Sequence, residues 1–244
     1  MKKFFKIRRR PLLLLLGVGA LGAALAGYFL LRQPQPLASD PQAQWEAHQR
    51  LITSVVQSVD RNTLIGSSPT LGNPNADIIL FEFSDFQCPY CARASLDVKV
   101  FMDKHSNDVL FVYKHLPLTQ IHPEAMPAAR AAWAAGQQDK FWIYHDGLFA
   151  YQDRLGGDLY VELAQKIGLD LEQFNRDRNS PASLTAVQRD LELAQAMQLR
   201  GTPTFLMNDL LLPPGASSSF FEQTLGQIQA AMQNRSPSPA TPSP

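Results

Sequence analysis

The chain contains two cysteines, Cys88 and Cys91, and only Pro89 and Tyr90 separate them. A short apolar run over residues 77–83 precedes the pair and predicts a strand, and the pair itself begins a predicted helix. Cys88 would therefore lie at a helix N-terminus, where unpaired N–H groups and the helix dipole favour the thiolate. Cys91 would follow within one turn, close enough to form or attack a disulfide. We predict that the pair exchanges disulfides, with Cys88 as the exposed nucleophile and Cys91 as the shielded resolving thiol.

The same pair is compatible with other chemistry. An inert local disulfide or two buried thiols is one alternative, although the strand–helix context argues against it. A zinc site would need a second pair of ligands, which the sequence lacks at suitable spacing. A copper site would need one added histidine, and this alternative stays open. The candidate histidines are His48, His105, His115, His122 and His145. Lone histidines are more often ordinary surface or core residues than metal ligands. We therefore expect neither a metal nor a cofactor.

The elements around the pair follow from hydrophobic periodicity and from the positions of glycine and proline. A second strand is predicted over residues 109–113, and a hairpin over residues 204–207 and 210–212. Residues 114–200 show helical periodicity, and this stretch is too long for a single crossover, so it predicts an inserted helical subdomain. An amphipathic helix is predicted to start at Pro41, with Asp40 as its N-cap. Further helices are predicted over residues 90–104, 123–136, 140–152, 159–167, 184–199 and 219–232, with a break at Pro181.

The N-terminal segment determines the compartment. Residues 11–31 carry no charged side chain and are long enough to cross a bilayer once as a helix. Six basic residues precede this run, which by the positive-inside rule places the N-terminus in the cytoplasm and the rest of the chain outside it. A cleaved signal peptide is the alternative, because residues 24–26 have the form of a cleavage site, and residues 8–10 weakly resemble a twin-arginine signal. The apolar run exceeds the ~7–15 residues usual in signal peptides, so we favour an uncleaved anchor.

Charge is distributed unevenly, although 22 basic and 22 acidic residues balance over the whole chain. The six basic residues in the first ten positions leave 16 basic against 22 acidic residues in the remainder, a net charge of −6. We therefore expect no binding to nucleic acid. With 45% hydrophobic residues, the chain can bury a sizeable core.

Four stretches of the sequence resemble the DsbA-like thiol-disulfide oxidoreductases, a branch of the thioredoxin fold. They are residues 81–91 (FEFSDFQCPYC), 111–118 (FVYKHLPL), 140–149 (KFWIYHDGLF) and 201–204 (GTPT). The resemblance extends over about residues 63–232, and the combination of stretches is more specific than a lone Cys-x-x-Cys. It implies an α/β, thioredoxin-like fold with an inserted helical subdomain, here preceded by a single transmembrane helix.

The resemblance assigns a substrate-binding role to four residues. Pro203 matches the family's cis-proline, which faces the disulfide and leaves the backbone of Thr202 free to pair with an extended substrate. An ordinary trans-proline at a strand start is the alternative for Pro203. Pro89 and Tyr90 would cover the disulfide or contact the substrate.

Glu82 is the third candidate catalytic residue. It lies six residues before Cys88, where the thioredoxin fold often carries a buried acid, and from there it could relay a proton to or from Cys91. Alternation along the predicted strand places Glu82 on the same face as the apolar residues Ile78 and Leu80. An exposed glutamate at the strand end is the alternative, and the sequence does not decide between the two.

The predicted organisation has six parts. They are a cytoplasmic basic tail and transmembrane anchor (1–32), a spacer and amphipathic helix (33–61), the first part of the thioredoxin-like domain (62–117), the helical insertion (118–198), the second part of the thioredoxin-like domain (199–233) and a disordered tail (234–244). We expect a single-pass protein of the plasma membrane whose catalytic domain lies outside the cytoplasm.

The predicted function is the formation of disulfides in exported proteins, with a membrane protein as redox partner. The best-known family member has Pro-His between its cysteines where this chain has Pro-Tyr, so the direction of electron flow stays open. The same active site working as an isomerase or reductase is the nearest alternative. A redox-inert or copper-handling binding module is a more distant one.

Overall fold

The computed structural model describes residues 40–235. The predicted membrane span over residues 11–31 and the spacer lie outside the described residues. So does the tail predicted over residues 234–244, except for residues 234–235, which are helical. Among residues 40–235, no helix is both long and apolar enough to cross a membrane. Within the described residues, the boundary between two compact units falls between Glu46 and Ala47, and the site lies entirely in the second unit.

The described residues form nine helices and five strands. They are α1 (Pro41–Ser58), α2 (Arg61–Ile65), β1 (Thr70–Gly72), β2 (Ile78–Ser84), α3 (Pro89–His105), β3 (Val109–His115), α4 (Ala125–Gly136), α5 (Phe141–Ala150), α6 (Gly157–Lys166), α7 (Leu171–Arg178), α8 (Pro181–Ala196), β4 (Thr204–Met207), β5 (Leu210–Leu211) and α9 (Ser218–Arg235). One turn of 3₁₀ helix, Gln152–Arg154, follows α5.

The five strands form one mixed sheet in the order β1-β3-β2-β4-β5. β2 and β3 are parallel, and the other neighbouring pairs are antiparallel. Every residue of β2 and β3 is buried, as expected for parallel strands covered on both faces. The predicted α/β fold is therefore confirmed. The loop after β2 leads directly to the cysteine pair at the start of α3.

The helices α4–α8 form the insertion between β3 and β4. Seven alanines of α4 are buried, and their small side chains allow α5, α7 and α8 to pack closely against this helix. An ion pair between Lys114 of β3 and Asp190 of α8, 3.0 Å long and almost completely buried, attaches the insertion to the sheet. Asp190 also accepts a hydrogen bond from the backbone N–H of His115 at 2.9 Å. Breaking such a buried pair by removing one partner typically costs about 3–5 kcal/mol.

Some elements differ from the sequence-based prediction. β1 lies in a stretch for which no strand was predicted. Gly72 at its end has φ +96°, and a Cβ at this position would clash with the carbonyl oxygen of Val109. α2 and α7 were not predicted. α8 begins at Pro181 rather than at residue 184, because Pro181 occupies the first helical turn behind the N-cap Ser180. The predicted helix over residues 140–152 ends at residue 150 and continues as the 3₁₀ turn.

Candidate active site

Cys88 is the N-cap residue of α3, and Pro89 follows in the first helical turn. The carbonyl of Cys88 accepts hydrogen bonds from the backbone N–H groups of Cys91 and Ala92, at 3.0 and 3.2 Å. Cys91 is fully buried, as predicted, but Cys88 is only 4% exposed. The prediction that Cys88 is exposed was therefore wrong, because Thr202 contacts its sulfur and Gln152 contacts its carbonyl oxygen. Both cysteines are free thiols in this structure.

The two thiols have opposite acidity. A hydrogen bond from the Cys91 thiol is the largest influence on the Cys88 sulfur and, with Thr202 and the N–H groups of Cys91 and Tyr90, lowers the pKa of Cys88 to about 5 against the opposing effect of burial. Burial raises the pKa of Cys91 far above its ordinary value, and the interactions with Cys88 and Glu82 raise it further. At neutral pH the reduced pair is therefore a thiolate at Cys88 beside a thiol at Cys91.

The wall opposite Cys88 is formed by Thr202 and Pro203, which are joined by a cis peptide bond. The Cys88 Sγ lies 3.4 Å from the carbonyl oxygen of Thr202. Beside this contact opens a cavity of about 510 Å³, whose lining includes Tyr90, Arg93, Ala94, Asp97, Pro203 and Pro214. The Tyr90 ring is 62% exposed, and the guanidinium of Arg93 lies 4.6 Å from its centre. The structure thus brings Pro203, Thr202 and Tyr90 to the reactive sulfur, and the exposed Pro89 lies next to it.

Glu82 is buried, with only 1% of its surface exposed. It pairs with Tyr113 on β3 and with Phe205 on β4. Burial raises the pKa of Glu82 from 4.5 to about 7, although the nearby Ser84 hydroxyl opposes this effect. Of the two alternatives for this residue, the structure shows the buried one, close enough to Cys91 for its charge to raise the pKa of that thiol.

Asp85 is a site residue that the sequence analysis missed. Its buried carboxylate accepts hydrogen bonds from the backbone N–H groups of Gln87 and Leu118, at 2.8 and 2.9 Å, and lies 2.8 Å from His122 Nδ1. Its own N–H donates to the Cys91 sulfur at 3.4 Å. Asp85 therefore holds the loop before α3 against residues 118–122. Aspartate bonding to backbone two residues on is a recognised turn signal, which could have identified this residue.

Gln152 is a second missed residue, and it belongs to the helical insertion. Its side-chain amide donates hydrogen bonds to the carbonyl oxygens of Phe86 and Cys88, at 2.7 and 2.9 Å. The insertion thus fixes the backbone around the reactive cysteine through these two hydrogen bonds. Sequence position alone offers no signal for this contact, because Gln152 is distant from Cys88 in the chain and lies in the 3₁₀ turn after α5.

Metal coordination has no geometric support among residues 40–235, where no three His, Cys, Asp or Glu side chains lie close enough to hold an ion. All five histidines named as copper candidates contact other polar groups or lie in the core, among them His122, which contacts Asp85. His105 contacts Glu222 at 2.7 Å, His48 contacts the carbonyl of Met197 at 2.8 Å, and His115 and His145 are in the core.

Fold and site together define a thioredoxin-fold protein with a reactive cysteine pair at a helix N-terminus. The family model described as thioredoxin matches residues 65–227, and the chain belongs to this family. Its solved structural neighbours are DsbA-like thiol-disulfide oxidoreductases, which confirms the resemblance found in the sequence.

Two solved structures illustrate the similarity. A thioredoxin-like oxidoreductase from Silicibacter pomeroyi DSS-3 is 31% identical, with a TM-score of 0.62 over 70% of this chain and 99% of that chain. The thiol-disulfide exchange protein alpha-DsbA2 from Wolbachia pipientis has a TM-score of 0.67 over 75% of this chain and 98% of that chain. Its sequence is 18% identical, so this second likeness shows the fold alone.

The curated relatives match only in part. The Na(+)/H(+) antiporter NhaA 1 of Mycobacterium sp. (strain KMS) is 40% identical over 139 residues, which is 56% of this chain but 23% of the antiporter. The matched segment is thus about a quarter of the length of that relative. Antiport is an activity of the relative as named, and the match does not extend it to this chain.

Proposed function

We propose that this protein is a membrane-anchored, exported thiol-disulfide oxidoreductase that introduces disulfides into exported proteins. The observation that carries the proposal is the position of Cys88 at the N-cap of α3, in contact with the Cys91 thiol and Thr202, which lowers the pKa of the Cys88 thiol while burial raises that of Cys91. A stabilised thiolate is a good leaving group, and a couple whose reduced form is stabilised is an oxidant. The uncharged run over residues 11–31 supports the anchor and the export of the domain.

The reaction begins with the oxidised pair. A substrate thiolate attacks the Cys88 sulfur, the Cys88–Cys91 bond breaks, and a mixed disulfide forms between Cys88 and the substrate. Cys91 leaves as a thiolate and takes a proton from the neutral carboxyl of Glu82, whose pKa of about 7 makes it a suitable acid near neutral pH. A second substrate thiolate then attacks the substrate sulfur, releasing the disulfide product and the stable Cys88 thiolate.

The substrate would bind along the wall opposite Cys88. The backbone of Thr202, which lies against the Cys88 sulfur, would pair with an extended peptide. The neighbouring cavity, with Tyr90 and Arg93 at its edge, would receive side chains next to the reacting cysteine. The partners are thus exported proteins with free thiols, and a membrane redox protein that reoxidises the pair.

Isomerase or reductase activity is the second candidate function. The pKa of Cys88 indicates where the protein lies between an oxidant and a reductant. A pKa of about 5 lies between about 3.5 for the strong oxidant DsbA and about 7 for the reductant thioredoxin. The active site is therefore expected to be a moderate oxidant rather than an extreme one.

The reduction potential tests the proposal. The protein is equilibrated against glutathione buffers, and the free thiols are trapped and counted. We expect a potential between about −120 mV, as for DsbA, and about −270 mV, as for thioredoxin. A value at or below that of thioredoxin would reject the oxidase function and favour the reductase or isomerase.

Trapping in cells tests the roles of the two cysteines. Cys91→Ser should accumulate mixed disulfides with exported proteins, because the resolving thiol is absent while the nucleophile remains. Cys88→Ser is the matched control and should accumulate none. Trapping through Cys91 alone would reverse the assignment.

A further inference from the structure

A group of buried polar atoms lies on one face of the sheet behind the cysteine pair. The parallel register pairs Glu82 with Tyr113 and Ser84 with His115, and all four side chains lie on the same face of the sheet. The ring of His145, from α5, packs 5.0 Å from the ring of Tyr113. Within residues 40–235, each of these side chains has a buried atom without a hydrogen-bond partner: Glu82 Oε1, Ser84 Oγ, Tyr113 Oη, His115 Nε2 and His145 Nε2.

A cluster of buried polar atoms without protein partners is unusual. A buried polar atom without a partner costs about 1–3 kcal/mol, and most native structures contain few. Five such groups, four on the sheet and one on α5, form a polar site behind the cysteine pair, and ordered water commonly supplies the missing partners of such groups. A proton can pass along side chains and water molecules that exchange hydrogen-bond partners in this way.

His145 connects this group with the surface. Its Nδ1 lies 2.9 Å from Oδ1 of Asp146, and the Asp146 side chain is 68% exposed while that of His145 is 6% exposed. Burial lowers the pKa of His145, so the imidazole is neutral near pH 7. A neutral imidazole can accept a proton at one nitrogen while it releases the proton on the other, and it then passes a proton without holding a charge.

A cavity of about 300 Å³ joins the same residues. Its lining includes Glu82, His145 and Asp146, together with Lys99, Asp103 and Trp142. This volume is ample for water, which needs polar partners of the kind that Glu82 and His145 provide. Through this cavity and His145, Glu82 is thus connected to the exposed carboxylate of Asp146.

The proposed reaction creates a need for this connection. When Cys91 leaves as a thiolate and takes the proton of Glu82, a carboxylate remains in a site that disfavours its charge. The side of Cys88 and Thr202 is then covered by the bound substrate. The replacement proton must therefore reach Glu82 from another direction.

We propose that the cavity and the His145–Asp146 pair form the route by which Glu82 exchanges its proton with solvent. This inference rests on the proposed function for its direction, since an oxidant must deliver a proton inward to Cys91 in each cycle. His145 acts through Glu82 and touches neither substrate nor the reacting sulfurs. The other titratable and charged groups that face the route are Lys99 and Asp103 on α3, and Tyr113 and His115 on β3.

The experiment measures thiol-disulfide exchange of the full-length protein with glutathione, in both directions, in H₂O and D₂O. Both directions move one proton to or from Cys91, so the measurement does not depend on which direction operates in the cell. The variants are His145→Ala and Asp146→Asn. Asp108→Asn is the matched control, because Asp108 is an exposed carboxylate outside the cavity.

We expect His145→Ala to slow exchange by at least about tenfold, the lower part of the range for general acid–base catalysis. The loss should grow with pH, the rate should fall further in D₂O, and added imidazole should restore it. The equilibrium constant with glutathione should change by less than about twofold, because the end states are the same. Asp146→Asn, which is near the surface, should slow exchange in the same way without lowering the melting temperature, and Asp108→Asn should do neither.

Two results would overturn the proposal. One is a wild-type rate and isotope effect in both His145→Ala and Asp146→Asn. The other is a slow His145→Ala that imidazole does not restore, since that indicates a structural role only. The proposed function is judged separately, by the reduction potential of the wild-type protein.

Discussion

Replacing Glu82 by glutamine should make the protein increasingly stable relative to wild type as the pH rises through neutral. The carboxyl of Glu82 is almost completely buried, and burial raises its pKa from 4.5 to about 7. At about 1.4 kcal/mol for each pKa unit, the difference between these values corresponds to roughly 3 kcal/mol. This is the free energy that the folded protein loses when Glu82 must ionise in its buried position.

The sign follows from proton linkage. Because the pKa is raised in the folded state, the stabilisation that Glu82 provides is complete below about pH 4.5 and is lost as the pH rises through about 7. Glutamine cannot ionise and loses nothing over this interval. The unfolding free energy of Glu82→Gln relative to wild type should therefore increase by roughly 3 kcal/mol between about pH 4 and pH 8.

Urea unfolding of both proteins in the reduced state, at several pH values, measures this difference. Any constant cost of burying the glutamine amide appears equally at every pH and cancels. Glu192→Gln, at an exposed position of α8, is the control and should show no such trend. Parallel stability curves for wild type and Glu82→Gln would show that Glu82 ionises normally, and the assignment of Glu82 as a proton donor near pH 7 would then be lost.

Three further outcomes are expected. Alkylation of Cys88 in the reduced protein should be half-maximal near pH 5, since its pKa is about 5; a midpoint above pH 8 would contradict the helix-end stabilisation. Gln152→Ala should lower the free energy of unfolding in urea by roughly 1–3 kcal/mol, because the two carbonyl oxygens that it bonds each lose a hydrogen bond worth about 0.5–1.5 kcal/mol, whereas Gln137→Ala, at the exposed C-cap of α4, should change it by less than about 0.5 kcal/mol. In cells stripped of their outer barrier, external protease should digest the domain and spare a short N-terminal fragment containing residues 11–31; a mature N-terminus at Gly27 would disprove the anchor.

The part of the fold that local patterns specify was predictable from the sequence. The apolar run before the cysteines is β2, the helix after them is α3, and the apolar residues around 204–211 form the hairpin of β4 and β5. α7 escaped prediction because only Phe174 of its eight residues is buried, so it lacks an apolar stripe. Its N-cap Asp170, which accepts from Gln173 at 2.8 Å, was the available signal.

The site was predictable where one segment carries the chemistry. Cys88 and Cys91 follow from spacing and from the strand before them, and Thr202 and Pro203 follow from a family resemblance. Contacts made by distant segments were not predictable: nothing in the sequence places Gln152 against the Cys88 carbonyl. Periodicity reports which residues are buried, but it does not report which buried residues meet.

The topology of the sheet has a consequence for the order in which the active site forms during synthesis. β4 pairs with β2, with Leu80 opposite Met207, and the entire helical insertion lies between them in the chain. Closing so long a loop costs entropy, and contacts of this range form slowly. During synthesis the cysteine pair leaves the ribosome well before Thr202 and Pro203, because it lies more than 100 residues earlier in the chain. Thr202 and Pro203 supply the wall opposite Cys88. A chain interrupted before residue 202 would carry both thiols without that wall, so the complete reactive site forms only after Thr202 and Pro203 have been synthesised.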